Sequence, residues 1–180
     1  DLKNNLNYKK SLYKNREIIF ISQFRNKHVR QIYKTAFRGY LYTLKLLFPL
    51  LINFCKKNNL TLSILGSSDQ STEEIKYYNK FIKNYNFKYY IRNNNLTYKR
   101  IEKSIFGIGV YSTLAFEMLA RNNKIGIFNF GLKLRNAKKY EVFVSRYLLS
   151  NSGKFWLKFF NEKKISQILE FLLNASDTEW

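Results

Sequence analysis

From Glu17 onward the chain alternates short apolar runs with longer stretches of helical spacing. Glu17-Ile18-Ile19-Phe20-Ile21-Ser22 is β-branched and aromatic without polar alternation, as in a strand covered on both faces of a parallel sheet. The stretch 40–58 that follows carries apolar residues at helical spacing, so the two make one βα unit. Thr61 to Gly66 reads as a second strand and Ser71 to Tyr85 as its helix, with Ser71 and Glu74 in capping-box spacing. Phe87 to Ile91 predicts a third strand, 96–103 a short helix and Ile105 to Val110 a fourth strand. Ser112 or Thr113 then caps a helix running to Arg121, Lys124 to Phe128 is a fifth strand, 130–154 is irregular, and 162–173 is a closing amphipathic helix.

Strands alternating with helices predict an α/β domain, a Rossmann-like parallel sheet with helices on both faces joined by right-handed crossovers. Ligands of such sheets bind beyond the carboxyl ends of the strands. Four segments after strands are therefore the candidates: 22–27, 66–69, 109–113 and 129–131. The expected boundaries are a linker over 1–16, the domain over 17–174 and a tail over 175–180. The chain starts at Asp1, which leads us to expect a fragment whose N-terminal partner domain is missing.

Composition supports a folded chain: 46% of the residues are hydrophobic and 24% charged. The longest apolar run, Leu46 to Ile52, contains Pro49 and is far shorter than the roughly 20 residues that span a bilayer. The single cysteine, Cys55, excludes a disulfide framework within the chain and any zinc site built on several cysteines. With 32 basic and 12 acidic residues the net charge is +20, which suits nucleic acid, an anionic membrane or a phosphorylated ligand. Lys, Asn, Ile, Phe and Tyr nevertheless make up half the chain, and 23 of the basic residues are lysines scattered through every segment. That is the signature of AT-rich codons. A reader of nucleic acid concentrates arginine, so nucleic acid is not expected as a partner.

The sharpest chemical signal is Gly107 to Ala120, where Ser112 and Thr113 stand at a strand-to-helix turn. Free N–H groups of a first helical turn, flanked by hydroxyls, form an anion site. Glu117, four residues after Thr113, lies one turn deeper on the same face and could accept hydrogen bonds from ribose hydroxyls. The plainer reading makes Ser112 a simple N-cap and pairs Glu117 with Arg121 at i+4.

The run Tyr111-Ser112-Thr113-Leu114-Ala115-Phe116-Glu117-Met118-Leu119-Ala120-Arg121, followed by the strand Lys124 to Phe128, resembles the nucleotide-sugar-binding C-terminal half of GT-B glycosyltransferases, in particular transferases of O-antigen and capsule synthesis with an S-T-L-x-x-E-x-L-x-R core. Phe20 to Phe24, Ile64 to Ser68, Gly153 to Trp156 and Glu179-Trp180 add to the likeness. It implies the C-terminal domain of a GT-B fold, with Glu117 on the nucleotide ribose and Ser112 with Thr113 facing the diphosphate. Asn122-Asn123 replaces the glycine common there, and Asn tolerates a left-handed C-cap. The implied reaction transfers a sugar from a nucleotide-activated donor to a glycan or lipid-linked acceptor, aligned by the protein and without metal or cofactor, as no Asp-x-Asp occurs. Arg25 and His28 are the catalytic candidates, for the donor phosphates or the leaving group; a lone exposed loop histidine is the alternative. Ser22, Gly66 and Ser67 are further substrate-binding candidates, though Ser67-Ser68-Asp69 is also ordinary helix-entry chemistry. Gly131 either approaches the sugar or makes a simple turn. The aromatic cluster Phe155, Trp156, Phe159 and Phe160 reads as core packing or as a seat for the missing domain, with a membrane-facing role as the alternative. The expected location is the cytoplasm of an AT-rich bacterium, with peripheral contact to the anionic inner face of its plasma membrane. A teichoic-type polyol-phosphate transferase and a non-catalytic nucleic-acid-binding domain are the competing readings.

Overall fold

The computed structural model describes residues 16–24, 34–67, 71–83, 85–110, 112–131 and 150–180. In chain order the elements are β1 (Glu17–Ile21), α1 (Lys34–Asn58), β2 (Thr61–Leu65), α2 (Ser71–Asn79), β3 (Lys88–Tyr90), α3 (Asn94–Lys103), β4 (Phe106–Gly109), α4 (Thr113–Ala120), β5 (Ile125–Phe128), β6 (Trp156–Leu157) and α5 (Glu162–Asn174). The strands form one parallel sheet in the order β3-β2-β1-β4-β5-β6. This is the doubly wound Rossmann order, with a topological switch point between β1 and β4.

Pleating divides the core in two. Ile18 and Phe20 join α1, α2 and α5 on one face, while Ile19 and Ile21 join α3 and α4 on the other. On α1, Leu44, Leu47, Phe48, Leu51 and Cys55 recur at helical spacing and are all fully buried. Pro49 is tolerated inside this helix on its exposed side. α1 starts six residues before the expected Tyr40, and α2 ends at Asn79 instead of reaching Tyr85. Asn59 and Asn122 take left-handed φ of 51° and 62°. Behind them Leu60 N bonds Cys55 O at 2.9 Å and Asn123 N bonds Met118 O at 3.0 Å, so asparagine closes both helices.

One strand was not foreseen. β6 has only two residues, too few for a periodic signal, yet Ile127 N and Asn129 N donate to Phe155 O and Leu157 O at 2.8 and 2.9 Å. The aromatic segment around it is split: Leu157 is buried, Phe155 contacts Trp180 at 5.1 Å between ring centroids, and Phe160 remains exposed with one edge on Phe130. Residues 175–180 lie on the domain, Trp180 also meeting Phe171 and Lys124 Nζ donating to the Ala175 carbonyl.

Burial pushes the Cys55 thiol up to about 12 and the Tyr40 phenol up to about 12. Both stay protonated in the fold at pH values where the unfolded chain, with ordinary values of about 8.5 and 10, has released the proton. Their contribution to stability is thus complete at neutral pH and is lost as pH rises toward 12. We expect the urea midpoint to fall progressively above about pH 9, and an aromatic disulfide reagent to label Cys55 only in denaturant. Rapid labelling of the native protein would contradict this burial.

Candidate functional site at the carboxyl edge of the sheet

Because every strand runs the same way, the segments after β1, β2, β3, β4 and β5 emerge at one edge. The structure brings Ser22, Gly66, Ser67, Ser112, Thr113 and Gly131 to that edge. Arg25 and His28 lie outside the described residues.

At the end of β1 the Ser22 hydroxyl turns into the core. It donates to Glu74 and accepts from Tyr78 Oη at 2.6 Å and from the Phe24 amide at 3.0 Å. Tyr78 Oη in turn meets Tyr40 Oη at 2.6 Å, and Tyr40 Oη accepts from the Gln23 amide at 3.1 Å. Burial holds the Tyr78 phenol well above its ordinary range, with Tyr40 adding to it. Glu74 is fully buried and accepts from Ser67 N at 3.1 and 3.2 Å and from Tyr89 Oη at 2.9 Å. Its carboxylate thus ties β1, the β2 turn and β3 together, where the capping-box spacing directed it to Ser71. Burial, then the adjacent carboxylate, also raises the Tyr89 phenol.

Gly66 makes the Tyr89 contact sterically feasible. A Cβ there would overlap the Tyr89 hydroxyl, so the space beside Gly66 is taken by the protein's own side chain. Ser67 Oγ donates to Phe24 O at 2.5 Å, and Arg92 Nη2 donates to Ser22 O at 3.1 Å. The backbone of 22–24 is therefore held from four elements before any ligand arrives.

Across the switch point, α4 begins beside β1. Its N-cap, Ser112, is buried with extended backbone (φ −77°, ψ 126°), and its hydroxyl makes no capping bond. The Ala115 amide bonds Ser112 O at 3.1 Å, leaving the Thr113 and Leu114 amides without a partner among the described residues. Thr113 and Glu117 are both exposed, one turn apart. The expected Glu117–Arg121 pair is not the one formed. Tyr98 Oη donates to Glu117 Oε2 at 2.8 Å, while the Arg121 guanidinium lies 4.3 Å over the Tyr98 ring and 3.5 Å from Glu102. A tyrosine on the neighbouring helix competes better for the carboxylate than a flexible side chain on the same one. The bond to Glu117 raises the Tyr98 phenol above its ordinary range.

After β5, Gly131 sits directly on Gly39 of α1, and any Cβ would overlap that backbone. Thr43 clamps the junction, donating to Gly39 O at 3.0 Å and accepting from Phe130 N at 3.0 Å. Just before it, Asn129 is 2% exposed, and its Oδ1 has no hydrogen-bond partner among the described residues. Buried amide oxygens are normally paired, which makes Asn129 a candidate for a ligand contact.

Sequence reasoning named neither Glu74, Tyr89 nor Arg92 as parts of this edge and included Asn129 only within the segment 129–131. The segment after β3 was the one strand end left out of the candidates, although the rule that selected the other four applies equally to it.

The model of a family described as "putative O-antigen biosynthesis protein" matches residues 2–180. No curated protein and no solved structure matches the chain. The family match covers both halves of the sheet and the whole carboxyl edge, so the chain belongs to this O-antigen biosynthesis family.

Proposed function

We infer that the chain is the donor-binding half of a nucleotide-sugar-dependent glycosyltransferase of surface polysaccharide synthesis. The observation that carries this reading is the start of α4: a buried N-cap serine whose hydroxyl is not spent on the helix, first-turn amides without a partner among the described residues, and an exposed carboxylate one turn deeper. The amides and hydroxyls suit a diphosphate, where the helix dipole adds to the attraction. Glu117, steadied through Oε2 by Tyr98, presents Oε1 to vicinal ribose hydroxyls. Asn129 Oδ1 suits a hydroxyl or N–H of the attached sugar. Charge developing on the departing nucleotide phosphate is stabilised by the same helix end. The acceptor and its base belong to another part of the enzyme.

A thermal-shift screen of CMP-, UDP-, GDP- and dTDP-sugars identifies the donor, since a ligand of the folded state raises its stability. With that donor, Glu117→Gln is expected to weaken binding about tenfold to a hundredfold, the loss of a charge-assisted pair, while the urea midpoint stays put. Equal affinity of Glu117→Gln and wild type, measured by calorimetry, would remove Glu117 from the ribose.

A further inference from the structure

The excess positive charge is not displayed evenly. α1 contains no acidic residue in its 25 positions. Its exposed stripe runs through Arg38, Tyr42, Lys45, Pro49, Asn53 and Lys56, all within one side of the helical wheel. Beside it, packed through Phe48 against Tyr78 and Phe81, α2 and the turn after it expose Lys76, Lys80 and Lys83. Glu73 is the one exposed acid among the described residues of α2 and that turn. None of these six cations has an ion-pair partner among the described residues.

The opposite face spends much of its charge internally. Arg100 lies 3.9 Å over the Tyr90 ring, and Arg121 stacks on Tyr98 and pairs with Glu102. AT-rich codons scatter lysine over both faces, and Lys88, Lys99 and Lys103 are exposed on the other one too; what differs is the acids, Glu102 and Glu117 standing among the cations of α3 and α4 where the described residues of α1, α2 and its turn expose Glu73 alone. Arg38 and Lys56 are 18 residues apart on one helix, which sets the basic stripe at about 27 Å long. Tyr42 is 38% exposed within it, a ring with a polar tip of the kind that sits at a lipid headgroup layer.

We propose that the α1–α2 face docks on an anionic lipid surface. A lysine-rich layer with one exposed aromatic and one arginine, Arg38, among its described residues fits many headgroups at low density better than the bidentate arginine contacts of nucleic-acid readout. α1 lies along the sheet, with its N-terminal end beside the carboxyl edge. Docking by this face leaves that edge opening parallel to the membrane plane, reachable by a lipid-linked acceptor from the surface and by a donor from solution.

The test is co-sedimentation of the full chain with vesicles of phosphatidylcholine alone or with about 30% phosphatidylglycerol, at low and physiological salt. Binding is expected only with the anionic lipid and is weakened by salt. Two triple variants carry the same loss of charge. Lys45→Gln, Lys56→Gln, Lys80→Gln is expected to weaken partitioning about a hundredfold. Lys88→Gln, Lys99→Gln, Lys103→Gln, on the other side, is expected to retain it within a few-fold. Equal losses from both triples would show generic charge attraction and overturn the assignment, as would equal binding to neutral vesicles. Tyr42→Trp reads the same face with its charge intact: its added fluorescence should be quenched by brominated lipids, and an unquenched signal on bound vesicles would also overturn it. Tighter, sequence-selective binding of duplex DNA by this face would assign it to nucleic acid instead.

Discussion

Glu74→Ala is expected to lower folding stability by about 3 kcal/mol or more, since each buried donor left without its acceptor costs about 1–3 kcal/mol. The deletion strands the Ser22 hydroxyl, the Ser67 amide and the Tyr89 hydroxyl at once, and the cavity sits where three strands end. Glu74→Gln keeps the volume and an acceptor, but its amide must place a donor against groups that themselves donate, so part of the loss should remain. Urea unfolding of both variants distinguishes the cases. A Glu74→Ala protein within about 1 kcal/mol of wild type would show that water or a relaxed turn replaces the carboxylate.

The second large effect concerns ligand affinity. The double variant Ser112→Ala, Thr113→Ala removes two hydroxyls expected to face donor phosphate. Each hydrogen bond to a charged group is worth about 1.5–3 kcal/mol, so the pair should weaken nucleotide binding by at least a hundredfold. Stability should change little, because the Ser112 hydroxyl does not cap α4. Calorimetry with the donor found by the thermal-shift screen reads the first quantity and urea unfolding the second. Wild-type affinity in a folded double variant would place the phosphate elsewhere along the edge, with Arg92 the next group to replace.

Much of the architecture was legible along the chain. Unbroken apolar runs such as Ile18 to Ile21 and Ile125 to Phe128 declare strands covered on both sides, because no one-sided strand can present such a face. Asn122 was readable as a left-handed cap because its side chain can compensate the backbone locally. What escaped detection depends on partners far away in sequence. Glu74 looked like a cap because Ser71 is three residues off, whereas its real partners, Ser22 and Tyr89, lie 52 and 15 positions away. Arg121 was drawn to Glu117 by spacing and is taken by Glu102 and Tyr98 in three dimensions. β6 exists through its pairing with β5 and carries no pattern of its own.

The strand order also governs how the chain is made. β1 is central, flanked by β2 and β4, and Ile18 pairs with Phe106, 88 positions further along. During synthesis one edge of Glu17–Ile21 therefore waits, unpaired, until Phe106 to Ile108 have been added. Non-local pairing of this kind slows folding, and a bare apolar strand is a template for association between nascent chains. Arg16 and Glu17 on one side and Ser22 on the other act as polar gatekeepers around that run. Substitutions that make these flanks apolar would lower soluble yield even where the finished fold tolerates them, and cooler, slower expression would recover it.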